Sequence, residues 1–366
     1  MKIPINLNLF QSFYSTSHSE EDSTTTLSTN SMVLETDMED GDKSHIQMAQ
    51  ENPGGTDTNH DDNSVIVESK DFFTFQKEIT DNDITYRYGY FVNSRNLKLV
   101  CQEFIPSAPK GIVVILHGYA DHSHSMLKED AQHFAKQGFA SFIFDQQGHG
   151  HSEGLSGYIE DFEDLVDDSI LFIEELTKRF PENLKKFIYS SSMGSAVALS
   201  LSLRKPEFFT GGMVLLAPMI KLDESMVPSP LVIQVLSWIS YAFPSLPIVP
   251  GENVLDKSIK DPQKRIEHAN HPLTYKGRAR LATGLAILKV TDYLQSRLHD
   301  VTVPLIVLHG SLDKVTSPAV SEQLYNQSSS VDKTIKIYPD FWHSLTCEPD
   351  SYLVYNDITN WINDRL

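Results

Sequence analysis

The 366-residue sequence has few cysteines, an excess of negative charge and no long apolar run. Two cysteines, Cys101 and Cys347, provide neither a disulfide framework nor metal-site spacing, which favours a reducing compartment. With 30 Lys and Arg against 49 Asp and Glu, the formal net charge is −19, which argues against a nucleic-acid partner. No apolar run has transmembrane length, and the first residues lack a signal-peptide core. We therefore expect a cytoplasmic protein. A plastid location is the minor alternative, because residues 1–19 carry several serines and no Asp or Glu.

The first 70 residues differ in composition from the rest of the chain. They contain 13 Asp and Glu against 3 Lys and Arg, are dominated by Ser, Thr, Asn and Asp, and show no apolar periodicity. Such a segment buries too little apolar surface to offset the entropy lost when it becomes ordered. We therefore expect an acidic, Ser/Thr-rich disordered tail over residues 1–70 and a folded domain over residues 71–366.

In the folded part, apolar runs typical of strands alternate with helical patterns. The segments TYRYGYFV and LKLVCQEFI are predicted to form an antiparallel pair of strands. Further strands are predicted at 111–118, 139–145, 186–189, 212–217, 304–309 and 334–338. Helices are predicted at 123–138, 159–180 and 352–365. Such alternation produces right-handed crossovers between parallel strands, so the pattern predicts an α/β fold with a mostly parallel, doubly wound sheet. Ligands are then expected at the carboxyl ends of the strands.

Residues 219–296 interrupt this alternation. They are rich in proline and contain helical runs such as LVIQVLSWISYAF, with little strand character. Because this segment lies between one core strand and the next, we expect it to form a helical cap inserted over the strand ends.

The segment Lys186–Arg204, KFIYSSSMGSAVALSLSLR, joins a short strand directly to a small-residue helix. It is close to the nucleophile-elbow motif G-x-S-x-G, in which a serine at a sharp strand-to-helix turn needs small neighbours two residues away on each side. Only Ser192 meets this requirement, with Gly194 after it and Ser190 in place of the first glycine. Ser192 is therefore the candidate nucleophile. The alternative is a serine-rich turn that caps a helix.

A nucleophilic serine needs a base and an acid, which we expect at the carboxyl ends of later strands. His343, in YPDFWHSL, follows the last predicted strand and is the candidate base. Asp313, in VLHGSLDKVT, follows the preceding strand and is the candidate acid. Asp340 is a rival for the acid but is expected to form a turn, and Asp223 is a lesser rival. The order Ser, Asp, His is that of α/β-hydrolases.

Two backbone amides are expected to form an oxyanion hole. One is that of Met193, directly after the candidate nucleophile, and the other is that of Tyr119, in the loop after the strand GIVVILHG. His117 in that loop is expected to shape the loop rather than to act as a base.

Taken together, seven collinear blocks resemble the monoacylglycerol lipase and lysophospholipase-like serine hydrolases, especially the plant branch that includes caffeoylshikimate esterases. The blocks are HGYADHS, FDQQGHGHSEG, YSSSMGSAVAL, LLAPMI, HPLTYKGRARL, VPLIVLHGSLDKVTSP and YPDFWHSL, and the resemblance runs from about residue 80 to the C-terminus. It implies an α/β-hydrolase fold and the same roles for Ser192, Asp313, His343, Tyr119 and Met193. The sequence departs from the family at two positions, where Ser190 and Ser195 stand in place of glycines.

The expected activity is hydrolysis of a carboxylic ester through an acyl-enzyme, with no cofactor and no metal. The resemblance implies a monoacylglycerol or lysolipid substrate, with a hydroxycinnamoyl ester such as caffeoylshikimate as the nearest alternative. The chain could instead transfer the acyl group to an alcohol, or it could be a binding module without catalytic activity. The resemblance also implies a cap that can rest on a membrane, although we predict that LVIQVLSWISYAF is a buried cap helix.

Overall fold

The computed structural model describes residues 72–222, 227–249 and 254–366, and these ranges contain one nine-stranded sheet and nine α-helices. The strands are β1 (Phe73–Asp81), β2 (Ile84–Val92), β3 (Lys98–Pro106), β4 (Gly111–Leu116), β5 (Ala140–Phe144), β6 (Lys185–Ser191), β7 (Gly212–Leu216), β8 (Leu305–Gly310) and β9 (Lys333–Tyr338). The helices are α1 (Met126–Lys136), α2 (Phe162–Thr177), α3 (Met193–Arg204), α4 (Pro230–Ala242), α5 (Val254–Ser258), α6 (Pro262–Asn270), α7 (Leu281–Arg297), α8 (Pro318–Gln327) and α9 (Ser351–Asn363). The tail predicted over residues 1–70 lies outside the described residues.

The strand order in the sheet is β1-β2-β3-β5-β4-β6-β7-β8-β9. The first three strands and β5 pair in antiparallel fashion, whereas β5, β4, β6, β7, β8 and β9 are parallel to one another. From β4 the chain moves to β5 on one side and then to β6 on the other, so the carboxyl ends of β4 and β6 border a topological switch point. The predicted α/β class with a mostly parallel, doubly wound sheet is confirmed.

The strand β1 was not predicted from the sequence. It pairs with β2 along its length, but Phe73 is its only buried residue and the remainder of its side chains are exposed or partly exposed. Phe73 packs edge-on against Phe91 and Phe172. Because an edge strand with one buried side chain shows little apolar alternation, its sequence carries only a weak strand signal.

The central strand β4 is buried on both faces, as its continuous apolar run predicted. Ile112, Val114 and Leu116 belong to a core cluster with the apolar residues of α2 and α3, whereas Val113 and Ile115 belong to a second cluster with those of α1 and α9. The sheet is therefore packed between helices on both faces.

The chain between β7 and β8 forms the helices α4, α5, α6 and α7. Our prediction that LVIQVLSWISYAF is a buried helix was wrong, because only Ser240 of α4 is buried. Ile233 and Leu236 face an internal cavity, but Leu231, Trp238 and Tyr241 are 71%, 72% and 95% exposed. The side of α4 that carries Ile233 and Leu236 thus faces the cavity, whereas the opposite side is exposed to solvent.

None of the helices in the described ranges combines the length and the hydropathy needed to cross a membrane.

Candidate active site

Ser192 lies at the turn between β6 and α3 with φ of 52° and ψ of −116°. A positive φ is unfavourable for a residue with a Cβ and costs on the order of 1 to 3 kcal/mol, so neighbouring bonds must hold it. The Ser192 amide donates to the Leu216 carbonyl at 3.0 Å, and the Ser192 carbonyl accepts from the Met219 amide at 3.1 Å. These bonds attach the turn to the end of β7 and place Ser192 on the wall of the cavity.

The two positions on either side of Ser192, 190 and 194, differ in whether they can hold a side chain. A Cβ at Gly194 would lie 2.1 Å from the Leu116 carbonyl oxygen, so the start of α3 approaches the end of β4 too closely for any side chain. Ser190, on the other side, is fully buried. Its hydroxyl group lies between two polar partners.

Those two partners are Ser195 and Val214. The Oγ atoms of Ser190 and Ser195 are 3.1 Å apart, and Ser190 Oγ is 3.2 Å from the Val214 carbonyl oxygen. Ser190 is the donor in both contacts, so its single hydroxyl proton is shared between Ser195 Oγ and the Val214 carbonyl oxygen. The two serines that depart from the family pattern therefore contact each other beneath the turn.

The candidate base and acid are in direct contact. His343 Nδ1 lies 2.7 Å from Asp313 Oδ2, although the two residues are 30 positions apart in the chain. The Asp313 side chain is fully buried, and His343 is 6% exposed and lines the same cavity as Ser192. When Nδ1 donates to the carboxylate, Nε2 of the neutral ring has a free lone pair, as a general base requires.

Several groups besides His343 contact the Asp313 carboxylate. Its Oδ1 accepts the amides of Val315 and Thr316 at 2.7 and 3.1 Å. Its Oδ2 lies 2.9 Å from Thr316 Oγ1 and 2.9 Å from His309 Nε2. Burial by itself would raise the pKa of Asp313, but His343 and His309 together hold that pKa well below its usual range. The carboxyl is therefore ionised.

Sequence reasoning missed the contribution of His309 and Thr316. Both lie within a few residues of Asp313, in the block VLHGSLDKVT, but nothing in their spacing indicates that they contact its carboxylate.

Of the two rival acids, Asp340 forms a turn instead of contacting His343. Asp340 is exposed, has a φ of 63° and donates its amide to Ser311 Oγ at 2.9 Å, which is the geometry of a turn. Asp223 lies outside the described residues.

The two expected oxyanion donors border Ser192. Met193 is the first residue of α3, and the first amides of a helix have no acceptor within it. The loop after β4 passes next to Ser192, since a Cβ at Gly118 would lie 3.3 Å from Ser192 Cβ. Tyr119 follows in that loop and lines the cavity.

His117 has the structural role expected of it. It is fully buried, and its Nε2 accepts the Gln146 amide at 2.9 Å while its Nδ1 lies 2.8 Å from the Gly118 carbonyl oxygen. With Nε2 occupied as an acceptor, Nδ1 carries the proton, and the ring connects the loops after β4 and β5.

The cavity has a volume of about 640 Å³ and contains both Ser192 and His343 on its wall. Its lining is mainly apolar and comes largely from the segment between β7 and β8, including Met219, Leu222, Ile233, Leu236, Leu281 and Leu285. Polar residues also line it: Asp121 and His268, whose Oδ1 and Nε2 lie 3.4 Å apart, and Lys276 and Arg278. The cavity therefore offers both apolar and polar groups to a bound molecule.

The helical segment is attached to both loops of the site. The Ser344 amide, next to His343, donates to the Ser258 carbonyl at 2.9 Å. The Tyr275 amide donates to the Ala120 carbonyl at 3.4 Å, beside the expected oxyanion donor. Movement of this segment would therefore shift both the loop that carries His343 and the loop that carries Tyr119.

Comparisons with known proteins agree on one family. A family model described as serine aminopeptidase, S33, matches residues 107–350. The caffeoylshikimate esterase of Arabidopsis thaliana is 33% identical over 294 residues, which cover 78% of this chain and 88% of that protein. The monoglyceride lipase of Homo sapiens is 27% identical over 292 residues, covering 78% and 94%. The crystal structure of Paleococcus ferrophilus monoacylglycerol lipase superposes with a TM-score of 0.64 over 73% of this chain and 99% of that chain, at 21% identity.

Proposed function

The chain belongs to the family described as serine aminopeptidase, S33, and on that premise we propose that it hydrolyses carboxylic esters with Ser192 as nucleophile, His343 as base and Asp313 as acid. The observation that carries this proposal is the arrangement of a strained serine and a buried Asp–His pair around one cavity. The relatives described above are named an esterase and lipases, which supports an ester rather than a peptide as substrate.

In the first step Ser192 Oγ attacks the ester carbonyl while His343 Nε2 takes the hydroxyl proton. Asp313 stabilises the imidazolium through its 2.7 Å bond to Nδ1. The amides of Met193 and Tyr119 stabilise the oxyanion, and one such donor contributes about 2.7 to 4 kcal/mol in related chemistry. His343 then protonates the leaving alcohol, and water, activated by the same base, releases the acid from the acyl-enzyme. No cofactor or metal takes part in this scheme.

For the substrate we propose a monoacylglycerol or a lysolipid. The apolar residues that α4 and α7 contribute to the cavity wall suit an acyl chain, since burying each CH₂ group is favourable by about 0.8 kcal/mol. Asp121 and His268, which also line the cavity, suit the hydroxyl groups of the alcohol.

A hydroxycinnamoyl ester of an acidic alcohol is the second candidate, and one observation favours it. Lys276 and Arg278 line the cavity, are exposed, and form no ion pair with the residues that the structure describes. In a chain of net charge −19, two such cations at a cavity favour an anionic group there. A caffeoyl ester of shikimate carries a carboxylate on its alcohol half.

The test compares the purified chain with Ser192→Ala on a 2-monoacylglycerol, a lysophosphatidylcholine and caffeoylshikimate. We expect turnover of at least one ester, lost in Ser192→Ala, and covalent labelling of Ser192 by a fluorophosphonate. Ser191→Ala is the matched control and should still be labelled. Equal turnover or labelling in Ser192→Ala would contradict the assignment, and an unlabelled folded protein would favour a binding module.

Hydrolysis and acyl transfer are separated by the products. With a primary alcohol added to the reaction, a hydrolase releases mainly free acid, whereas a transferase forms the new ester. We expect free acid.

We also propose peripheral contact of α4 with membranes, in a protein whose cytoplasmic location stays a prediction. Leu231, Trp238 and Tyr241 present large apolar side chains to solvent, and aromatic residues of this kind prefer the membrane interface. The double substitution Trp238→Ser with Tyr241→Ser should reduce co-sedimentation with phosphatidylcholine vesicles. Tyr352→Ser, which removes an exposed aromatic residue from α9, should not. Equal sedimentation of all three proteins would contradict the proposal.

A further inference from the structure

A second histidine contacts the carboxylate of Asp313, and the mechanism above does not use it. His309 is the penultimate residue of β8, and its side chain is fully buried. Its Nε2 lies 2.9 Å from Asp313 Oδ2, the same oxygen that contacts His343. Its other nitrogen, Nδ1, lies 2.7 Å from Ser321 Oγ on α8.

The hydrogen-bond partners determine which nitrogen of His309 carries the proton. An ionised carboxylate only accepts, so Nε2 must be the donor to Asp313. In the neutral ring Nδ1 is then an acceptor, and the Ser321 hydroxyl satisfies it. Ser321 therefore selects the tautomer of His309 that donates to Asp313.

This contact has two consequences for Asp313. It restrains rotation of the carboxylate, because a buried donor from β8 and the amides of Val315 and Thr316 hold it from different directions. It also shares Oδ2 between two histidines, and a carboxylate that already accepts a strong bond is a weaker partner for the second donor. Without His309, the negative charge of Asp313 would stabilise the His343 imidazolium more strongly.

Thr316 cannot replace His309 in this role. Its hydroxyl has one proton, and Oγ1 lies 2.9 Å from Asp313 Oδ2 but also 3.2 Å from the Ala217 carbonyl oxygen. Among the described residues, the titratable side chains in hydrogen-bond contact with His309 or Asp313 are these two residues themselves and His343. A change in His309 therefore reaches His343 through Asp313, and also through Thr316, whose Oγ1 lies 3.4 Å from His309 Nε2 and 3.3 Å from His343 Nδ1.

Building on the proposed function, we propose that His309, held by Ser321, is a positioning residue that orients Asp313 and limits how strongly it stabilises the protonated form of His343. His309 and Ser321 thereby influence the pH below which activity is lost, because His343 must lose its proton to act as a base. They do not touch the substrate or the reacting atoms.

The experiment measures the rate of fluorophosphonate labelling of Ser192 between pH 4 and 9. Removing the His309 donor in His309→Leu should move the acidic limb of this profile to higher pH by about 0.5 to 1 unit, because Asp313 then favours the charged form of His343. Ser321→Ala should move it in the same direction by less. His309→Gln, whose amide can donate to Asp313, should reverse part of this shift and bring the acidic limb back toward that of the unaltered chain.

The controls separate this inference from a general loss of structure and from failure of the proposed function. Ser169→Ala removes another buried helical hydroxyl, which bonds to the Leu165 carbonyl, and should leave the limb unchanged. Where His309→Leu does not fold by circular dichroism, Ser321→Ala decides. Labelling that slows without a shift of the limb, or an unchanged profile, would overturn the inference. Absence of Ser192 labelling in the unaltered chain would instead overturn the proposed function.

Discussion

Replacing Ser190 by alanine should destabilise the protein more than replacing Ser190 and Ser195 together. Both side chains are fully buried, and the hydroxyl of Ser195 has Ser190 as its only hydrogen-bond partner within the described residues. Ser190→Ala therefore leaves a buried hydroxyl without a partner. The double substitution removes both hydroxyls and leaves none.

The magnitudes follow from the contacts. An unsatisfied buried polar group costs about 1 to 3 kcal/mol, so Ser190→Ala should lower the free energy of unfolding by that amount. Ser195→Ala leaves Ser190 bonded to the Val214 carbonyl and should cost about 0.5 to 1.5 kcal/mol. Removing both partners of a hydrogen bond is close to neutral, so the double variant should recover about 1 kcal/mol relative to Ser190→Ala.

The assay is urea unfolding of the four proteins that form the double-mutant cycle. A constant slope with urea concentration shows that all four undergo the same unfolding reaction. Free-energy changes that add within about 0.3 to 0.5 kcal/mol would refute the reasoning, because independent sites are additive. Fluorophosphonate labelling of the double variant would show in addition whether the turn at Ser192 needs either hydroxyl.

Three further outcomes are expected. Gly194→Ala should prevent recovery of soluble protein that the fluorophosphonate labels, or should sharply lower its unfolding temperature, because the new Cβ would lie 2.1 Å from the Leu116 carbonyl oxygen. Normal stability of this variant would contradict the close approach. Burial raises the pKa of Asp130 to about 6 despite its hydrogen bond from Tyr189, so the folded state binds this proton more tightly than the unfolded state. The free energy of unfolding should then fall as pH rises from about 4 to about 6, by roughly 3 kcal/mol at most, and Asp130→Asn should flatten this slope in unfolding experiments at the two pH values. A chain that begins at Asp71 should fold and retain ester hydrolysis, because β1 begins two residues later, and loss of activity in a folded truncation would contradict a dispensable tail.

Much of the fold was predictable because local patterns reflect burial. The run GIVVILHG predicted a strand buried on both faces, and β4 is such a strand. The α/β-hydrolase fold inferred from the motif blocks is confirmed by the family match and the structural neighbours. By contrast, α4 is as apolar as a buried helix but lies mostly in solvent, because hydropathy does not indicate whether a neighbour covers the helix.

In the candidate site, too, some features followed from local sequence and others only from the tertiary structure. Ser192 could be singled out as the candidate nucleophile because the strain of a strand-to-helix turn restricts the size of the residues beside it, which is a local property of the chain. The choice of Asp313 over Asp340 rested on the position of each in the order of strands, and the structure brings Asp313 and not Asp340 to His343.

By itself, the sequence determined the periodicity of the strands and helices, the sharp turn at Ser192 and the order of the candidate nucleophile, acid and base. These depend on the sizes and polarities of residues close together in the chain. Only the tertiary structure decided that Ser190 bonds to Ser195, that His309 shares a carboxylate oxygen with His343, and that the outer side of α4 is uncovered. Each of these depends on which side chains from different elements meet within a few ångströms, and that is settled by packing across the sheet rather than by any local pattern.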